Sequence, residues 1–156
     1  MKDLFFHDSQ DDSPIVFSDR VLYTPTSFAK TALLYLQEIG SLQEKKPHTS
    51  SRTRLSSYLF FCVNSGSGEL EYQGKRHKLG EGDCVFVDCQ LPYSHSTDTD
   101  LWSLSWIHFS GVTMQTVYQK YQERGGRPVF RPDTLTDLQS LHQSLFDLAS
   151  SDDYIR

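Results

Sequence analysis

Residues 57–89 read SYLFFCVNSGSGELEYQGKRHKLGEGDCVFVDC, and this stretch decides the fold. Ser57–Val63 places apolar groups on both faces, as a strand inside a sandwich or barrel does. Asn64–Gly68 is a turn cluster, and Glu69–Tyr72 then alternates polar and apolar. Gln73-Gly74 turns the chain into Lys75–Leu79, and Gly80–Asp83 turns it again into Cys84–Cys89. Strands joined by tight glycine turns predict an antiparallel meander.

The same grammar extends from Arg20 to Phe109. Along Leu101–Phe109, strict alternation puts Trp102, Leu104, Trp106 and His108 on one face and Ser103, Ser105, Ile107 and Phe109 on the other. Leu33–Ile39 is read as a strand, although its apolar spacing partly fits a helix. After Phe109 the period changes. Met114, Val117, Tyr118 and Tyr121 follow helical spacing, and Gly125-Gly126 ends that helix. Pro132-Asp133 opens a second helix, on which Leu135, Leu138, Leu141, Leu145 and Leu148 form a stripe. Ser151-Asp152-Asp153 has the form of a capped third helix, which the chain cuts off at Arg156, so the sequence is expected to be a piece of a longer protein. The expected organisation is an acidic flexible arm over 1–19, a barrel over 20–110 and a helical region over 111–156.

Composition narrows the function. With 156 residues, 37% hydrophobic and 13% aromatic, the chain has the material for one packed domain and too much burial potential for disorder. The net charge of −5 disfavours nucleic-acid binding by this chain alone. No apolar run reaches the ~20 residues of a membrane span, and the N-terminus lacks an export signal, so a cytoplasmic location is expected. Cys62, Cys84 and Cys89 form no C-x-x-C pair and are expected to be reduced core residues.

Four pieces in order, G-x-G-x-L-x-Y-x-G-K (Gly66–Lys75), L-x-x-G-D (Leu79–Asp83), P-Y-x-H (Pro92–His95) and L-W-x-L-x-W-x-H-F-x-G (Leu101–Gly111), followed by two helices, resemble the N-terminal sensor domain of AraC-type transcription regulators. The resemblance covers roughly residues 22–150. It implies a mainly β, cupin-type antiparallel barrel (a jelly roll) followed by C-terminal helices. It also implies a small-molecule effector, often a sugar, bound inside the barrel. Helices that mediate homodimerisation follow from it too, with a helix-turn-helix region beyond the chain binding DNA. Dimerisation of this chain alone is expected to be weak.

Trp106 occupies the position whose indole stacks on sugar in that family, and Trp102 is a second candidate on the same face. The resemblance places Tyr93 and His95 in a ligand-contacting loop, and His108 ends the Trp strand. It implies an arginine at the barrel mouth, either Arg52 or Arg54, and a hydroxyl at Thr24 in Thr24-Pro25. Many cupins are metalloenzymes, so a metal-dependent isomerase or dioxygenase is the alternative reading. It lacks support, since no His-x-His pair occurs and Tyr93 stands where the later metal ligand falls. No catalytic constellation is legible, so neither enzymatic activity nor a cofactor or metal is expected.

Overall fold

The computed structural model describes residues 15–97 and 99–151. In chain order the elements are β1 (Ile15–Leu22), α1 (Ser27–Ala32), β2 (Leu34–Glu44), β3 (His48–Arg52), β4 (Tyr58–Ser65), β5 (Gly68–Tyr72) and β6 (Lys75–Leu79). They continue with β7 (Cys84–Asp88), β8 (Tyr93–Thr97), β9 (Ser103–Gly111), α2 (Met114–Glu123), β10 (Val129–Phe130) and α3 (Leu135–Ser150).

Two antiparallel sheets face each other, one ordered β1-β2-β9-β4-β7-β10 and the other β3-β8-β5-β6. The expected meander is corrected at this level. Only β5 and β6 form a hairpin, closed by Gln73-Gly74 with φ of 51° and 75°, the backbone a two-residue hairpin turn requires. β4 instead pairs with β7, so the chain leaves one sheet for the β5–β6 hairpin and returns. Both faces of Ser57–Val63 are apolar for this reason. Leu59, Phe61 and Val63 enter the barrel core, while Tyr58 packs outward against α2.

The helices lie on the outer face of the six-stranded sheet. Met114 and Tyr118 of α2 are buried there with Tyr58, backed by Phe86 and Phe109. On α3 the sequence stripe is shifted in phase: Leu138, His142 and Leu145 are half-buried towards the sheet and Ala149 is buried, whereas Leu141, at the mouth of the groove between α3 and the sheet, and Leu148 are 66% and 61% exposed. His142 accounts for part of the shift. Its Nε2–H donates to the carbonyls of Gly40 and Trp106 at 3.1 and 3.2 Å, pinning that face to β2 and β9.

The first strand begins within the stretch expected to form the arm. Ile15–Asp19 belong to β1, which runs antiparallel to β2 from Ile15↔Glu44 to Leu22↔Glu38, and Ile15-Val16-Phe17 is the β-forming sequence that permits it. The rest of the acidic arm, residues 1–14, and the start of a third helix at 152–156 lie outside the described residues. Among the described residues no helix is long and apolar enough to cross a membrane.

Candidate functional site

The barrel interior has an apolar half and a polar half. Strand parity turns Glu38, Gly40, Leu42 and Glu44 of β2 inward, and β9 presents His108, Trp106 and Leu104 directly opposite the first three. Gly40 opposite Trp106 is a requirement of size, because a Cβ there would come within 2.7 Å of the indole Cη2 and 2.3 Å of the Asp19 carbonyl. From the facing sheet, β3 sets Ser50 and Arg52 against His95 and Tyr93 of β8. The apolar half is filled by Leu59, Phe61, Leu70, Val85 and Val87.

The polar half is buried and closely held. The Glu38 side chain is 0% exposed, and the Arg20 Nε–H reaches over from β1 to donate to its Oε1 at 2.7 Å. Ser57 Oγ and His108 Nδ1 are hydrogen-bonded at 2.9 Å. The His95 ring lies between Tyr93, at 6.3 Å in a stacked arrangement, and Trp102, at 5.9 Å. A groove of about 500 Å³ opens over Arg52 and Tyr93; it belongs to the outer rim, since Ser51, Glu71 and Ser94 also line it, and the polar interior lies beneath.

The sequence candidates therefore separate. Tyr93, His95, Trp102, Trp106 and His108 are all buried in one interior. Tyr93 and His95 sit on strand β8, not in a loop, because five residues of Tyr93–Thr97 pair with β3 and four with β5. Of the two arginines, Arg52 is half-buried at the rim, its Nη1–H donating to the Ser51 carbonyl at 2.8 Å, and its charge bears on Tyr93, His95 and His108. Arg54 is exposed in a left-handed turn with φ 58°. Thr24 is exposed in the segment between β1 and α1, outside the cluster. Trp106 is 0% exposed and belongs to the core, so a ligand stacks on it only if the polar side chains around it part. Sequence reasoning missed Glu38, Arg20 and Ser57; the alternation of Gly40 and Leu42 points Glu38 inward only when counted back from them, since the register shifts between Leu36 and Glu38.

Electrostatics follow from this burial. Desolvation, helped by the nearby Arg52 and His48, pushes His95 down from 6.5 to about 3. His108 is held well below 6.5 by burial, then by His95 and Arg52, and both imidazoles are neutral at pH 7. Glu44 moves the other way: burial raises its carboxyl from 4.5 to about 7, and the Trp102 side chain alongside pulls it partly back.

Below pH 6.5 the unfolded chain takes up the two imidazole protons while the folded chain does not, so stability falls as pH drops. Between pH 4.5 and 7 a protonated Glu44 works in the opposite sense, because there the folded state holds the proton and the unfolded state has released it. The two buried imidazoles, with His142 also held low by burial, outweigh the one carboxyl, so stability falls on balance as the solution is acidified from about pH 6 to 5. Urea denaturation across that range should show it, and Glu44→Gln should steepen the slope. Constant stability would mean that the imidazoles take up their protons in the fold.

Among the described residues, no group of three or more His, Cys, Asp or Glu side chains could hold a metal ion. What the interior offers is a set of hydrogen-bonding groups of both polarities, walled by aromatic rings and beneath a rim groove. That arrangement suits a small polar molecule.

Comparison with solved structures agrees with the fold. The AraC-like transcriptional activator CuxR matches at 14% identity with a TM-score of 0.54, over 88% of this chain and 54% of its own. The cupin domain of Cnp3 from Schizosaccharomyces pombe matches at 12% identity with a TM-score of 0.50, over 74% of each chain. The chain thus spans about half the length of the activator. No curated protein matches the sequence significantly. The family model described as the AraC-like ligand binding domain matches residues 36–154, which takes in the polar cluster from Glu38 to His108 and both C-terminal helices, and the chain belongs to that family.

Proposed function

We propose that this domain senses a small hydroxyl-rich effector, a carbohydrate or polyol, in the polar half of the barrel. In this reading it passes the occupied state to a DNA-binding region outside the chain. The observation that carries the reading is the buried cluster of Glu38, Tyr93, His95 and His108 beside Arg52, in a barrel whose other half is apolar. A fold sustained by apolar packing alone has no need of it, since each of these groups gives up water to be placed there. Neutral imidazoles and a tyrosine both donate and accept, as alternating sugar hydroxyls require. The effector changes the output only by its differential affinity for two arrangements of the protein. The exposed Leu141 and Leu148 of α3 supply an apolar face for self-association, in keeping with a dimeric full-length regulator.

Calorimetry with a panel of monosaccharides and polyols tests the reading. Arg52 is half-buried at the rim, so Arg52→Ala should leave the fold intact. It should cost bound effector about 1–3 kcal/mol, roughly five- to 150-fold in affinity, as loss of a charged hydrogen-bond donor does. Absence of binding across the panel would remove the carbohydrate class. Unchanged affinity in Arg52→Ala would move the site away from β3.

A further inference from the structure

Cys62 on β4 and Cys84 on β7 stand directly opposite each other in an antiparallel pair, with their Sγ atoms 2.7 Å apart. Their position in the ladder is a non-hydrogen-bonded one. The Val63 N–H donates to the Asp83 carbonyl one step further along, at 2.9 Å, and the Cys89 N–H donates to the Ser57 carbonyl at the other end, at 3.0 Å. Alternation then leaves 62 and 84 between bonded pairs, where Cα atoms approach to about 4.5 Å, inside the span a disulfide bridges.

Both side chains point away from the barrel core, since Leu59, Phe61, Val63, Val85 and Val87 take the inward positions. The pair is buried near the edge of the six-stranded sheet, where Phe130 of β10 is the register partner of Cys84 and Arg131 is ion-paired with Asp83 at 3.3 Å. The two sulfurs are unequal. Either thiol can donate to the other, but Arg131, ion-paired with Asp83 next to Cys84, places its positive charge on that side and favours the Cys84 thiolate. Cys89 lies on the inward face, where burial pushes its thiol up to about 12. It is an internal control of the same residue type.

We propose that Cys62 and Cys84 are a modification site: a dithiol that a small peroxide converts to a reversible intramolecular disulfide. The Cys84 sulfur attacks one peroxide oxygen and the O–O bond breaks. The resulting sulfenic acid sits on Cys84, and the departing hydroxide leaves as water with the proton Cys84 gave up. The Cys62 sulfur then attacks the Cys84 sulfur, the S–O bond breaks, and the second hydroxide leaves as water with the Cys62 proton. Two thiols lose two electrons to one peroxide, and a thiol reductant reverses the change. Bond formation closes the sulfurs from 2.7 Å to about 2.05 Å, a movement the strand pair absorbs. β10, the strand next to Cys84, is a two-residue edge strand, so brief local opening there admits an oxidant of this size.

The test treats the native chain with hydrogen peroxide, quenches, denatures and labels the remaining thiols for mass spectrometry. The expected count falls from three thiols to one, the chain becomes lighter by two hydrogens, and a peptide joins Cys62 to Cys84. Dithiothreitol should restore all three. Cys89→Ser should lose its remaining pair at the wild-type rate, whereas Cys84→Ser should slow the loss of Cys62 by about tenfold or more. Cys62→Ser, a second variant in case Cys84→Ser fails to fold, should trap a dimedone-reactive sulfenic acid on Cys84. Three thiols surviving peroxide, or a linkage through Cys89 or between chains, would overturn the proposal.

Discussion

Trp106→Ala is expected to destabilise the domain by about 3–5 kcal/mol, the range for removing a fully buried large aromatic. The indole is 0% exposed, faces Gly40 across the β2–β9 pair and belongs to the same cluster as Leu59, Phe61 and Leu104. The cavity cannot fill from the opposite strand, because Gly40 has no side chain to move into it. Urea denaturation with calorimetric binding in parallel separates this role from stacking on an effector, which alone is worth only about 0.5–1.5 kcal/mol beyond area burial. A stability loss below about 1 kcal/mol would show that the indole is not a core group, and a Trp106→Phe variant that folds yet loses the effector would assign it to the ligand.

Much of this was legible because alternation is a local signal. The inward set of Trp102, Leu104, Trp106 and His108 follows from period two alone, and the burial pattern along β9 repeats it residue by residue. The β5–β6 hairpin was legible for the same reason, since Gln73-Gly74 names its own turn. Pairing across the barrel is not local. That β4 takes β7 as its neighbour depends on where two sheets face each other, and no spacing in 57–89 encodes it. β3 and β8 were missed because His48–Arg52 and Tyr93–Thr97 are polar; their strand character comes from pairing with each other and from the half-buried interior they wall. Glu38 was hidden by an irregularity in β2 between Leu36 and Glu38, which shifts the register and turns a residue expected at a strand's end into the barrel. The helices show the same limit. The leucine stripe of α3 is real, but His142, a polar residue at the docking face, rotates Leu141 and Leu148 outward.

Arg20→Met should cost about 3–5 kcal/mol, because it leaves the Glu38 carboxylate buried without the guanidinium beside it. The geometry is that of a pair built into the wall: Arg20 on β1 is aligned with Gly40, so its side chain passes where no β2 side chain stands and reaches Glu38 two residues away. Removing both charges should behave differently. An Arg20→Met, Glu38→Leu double variant replaces two ions with apolar groups of similar volume, and such exchanges are often neutral or stabilising by about 1–4 kcal/mol. The double variant should therefore recover most of what the single one loses, a coupling readable by urea denaturation in a four-member cycle. If the pair exists for packing alone, nothing else changes. Under the effector reading the recovered protein is blind, since Glu38 lies opposite His108 in the β2–β9 register and its charge bears on Tyr93. A double variant that regains stability and still binds the effector at wild-type affinity would take Glu38 out of the site. One that stays as unstable as Arg20→Met would show that the carboxylate was never the source of the cost.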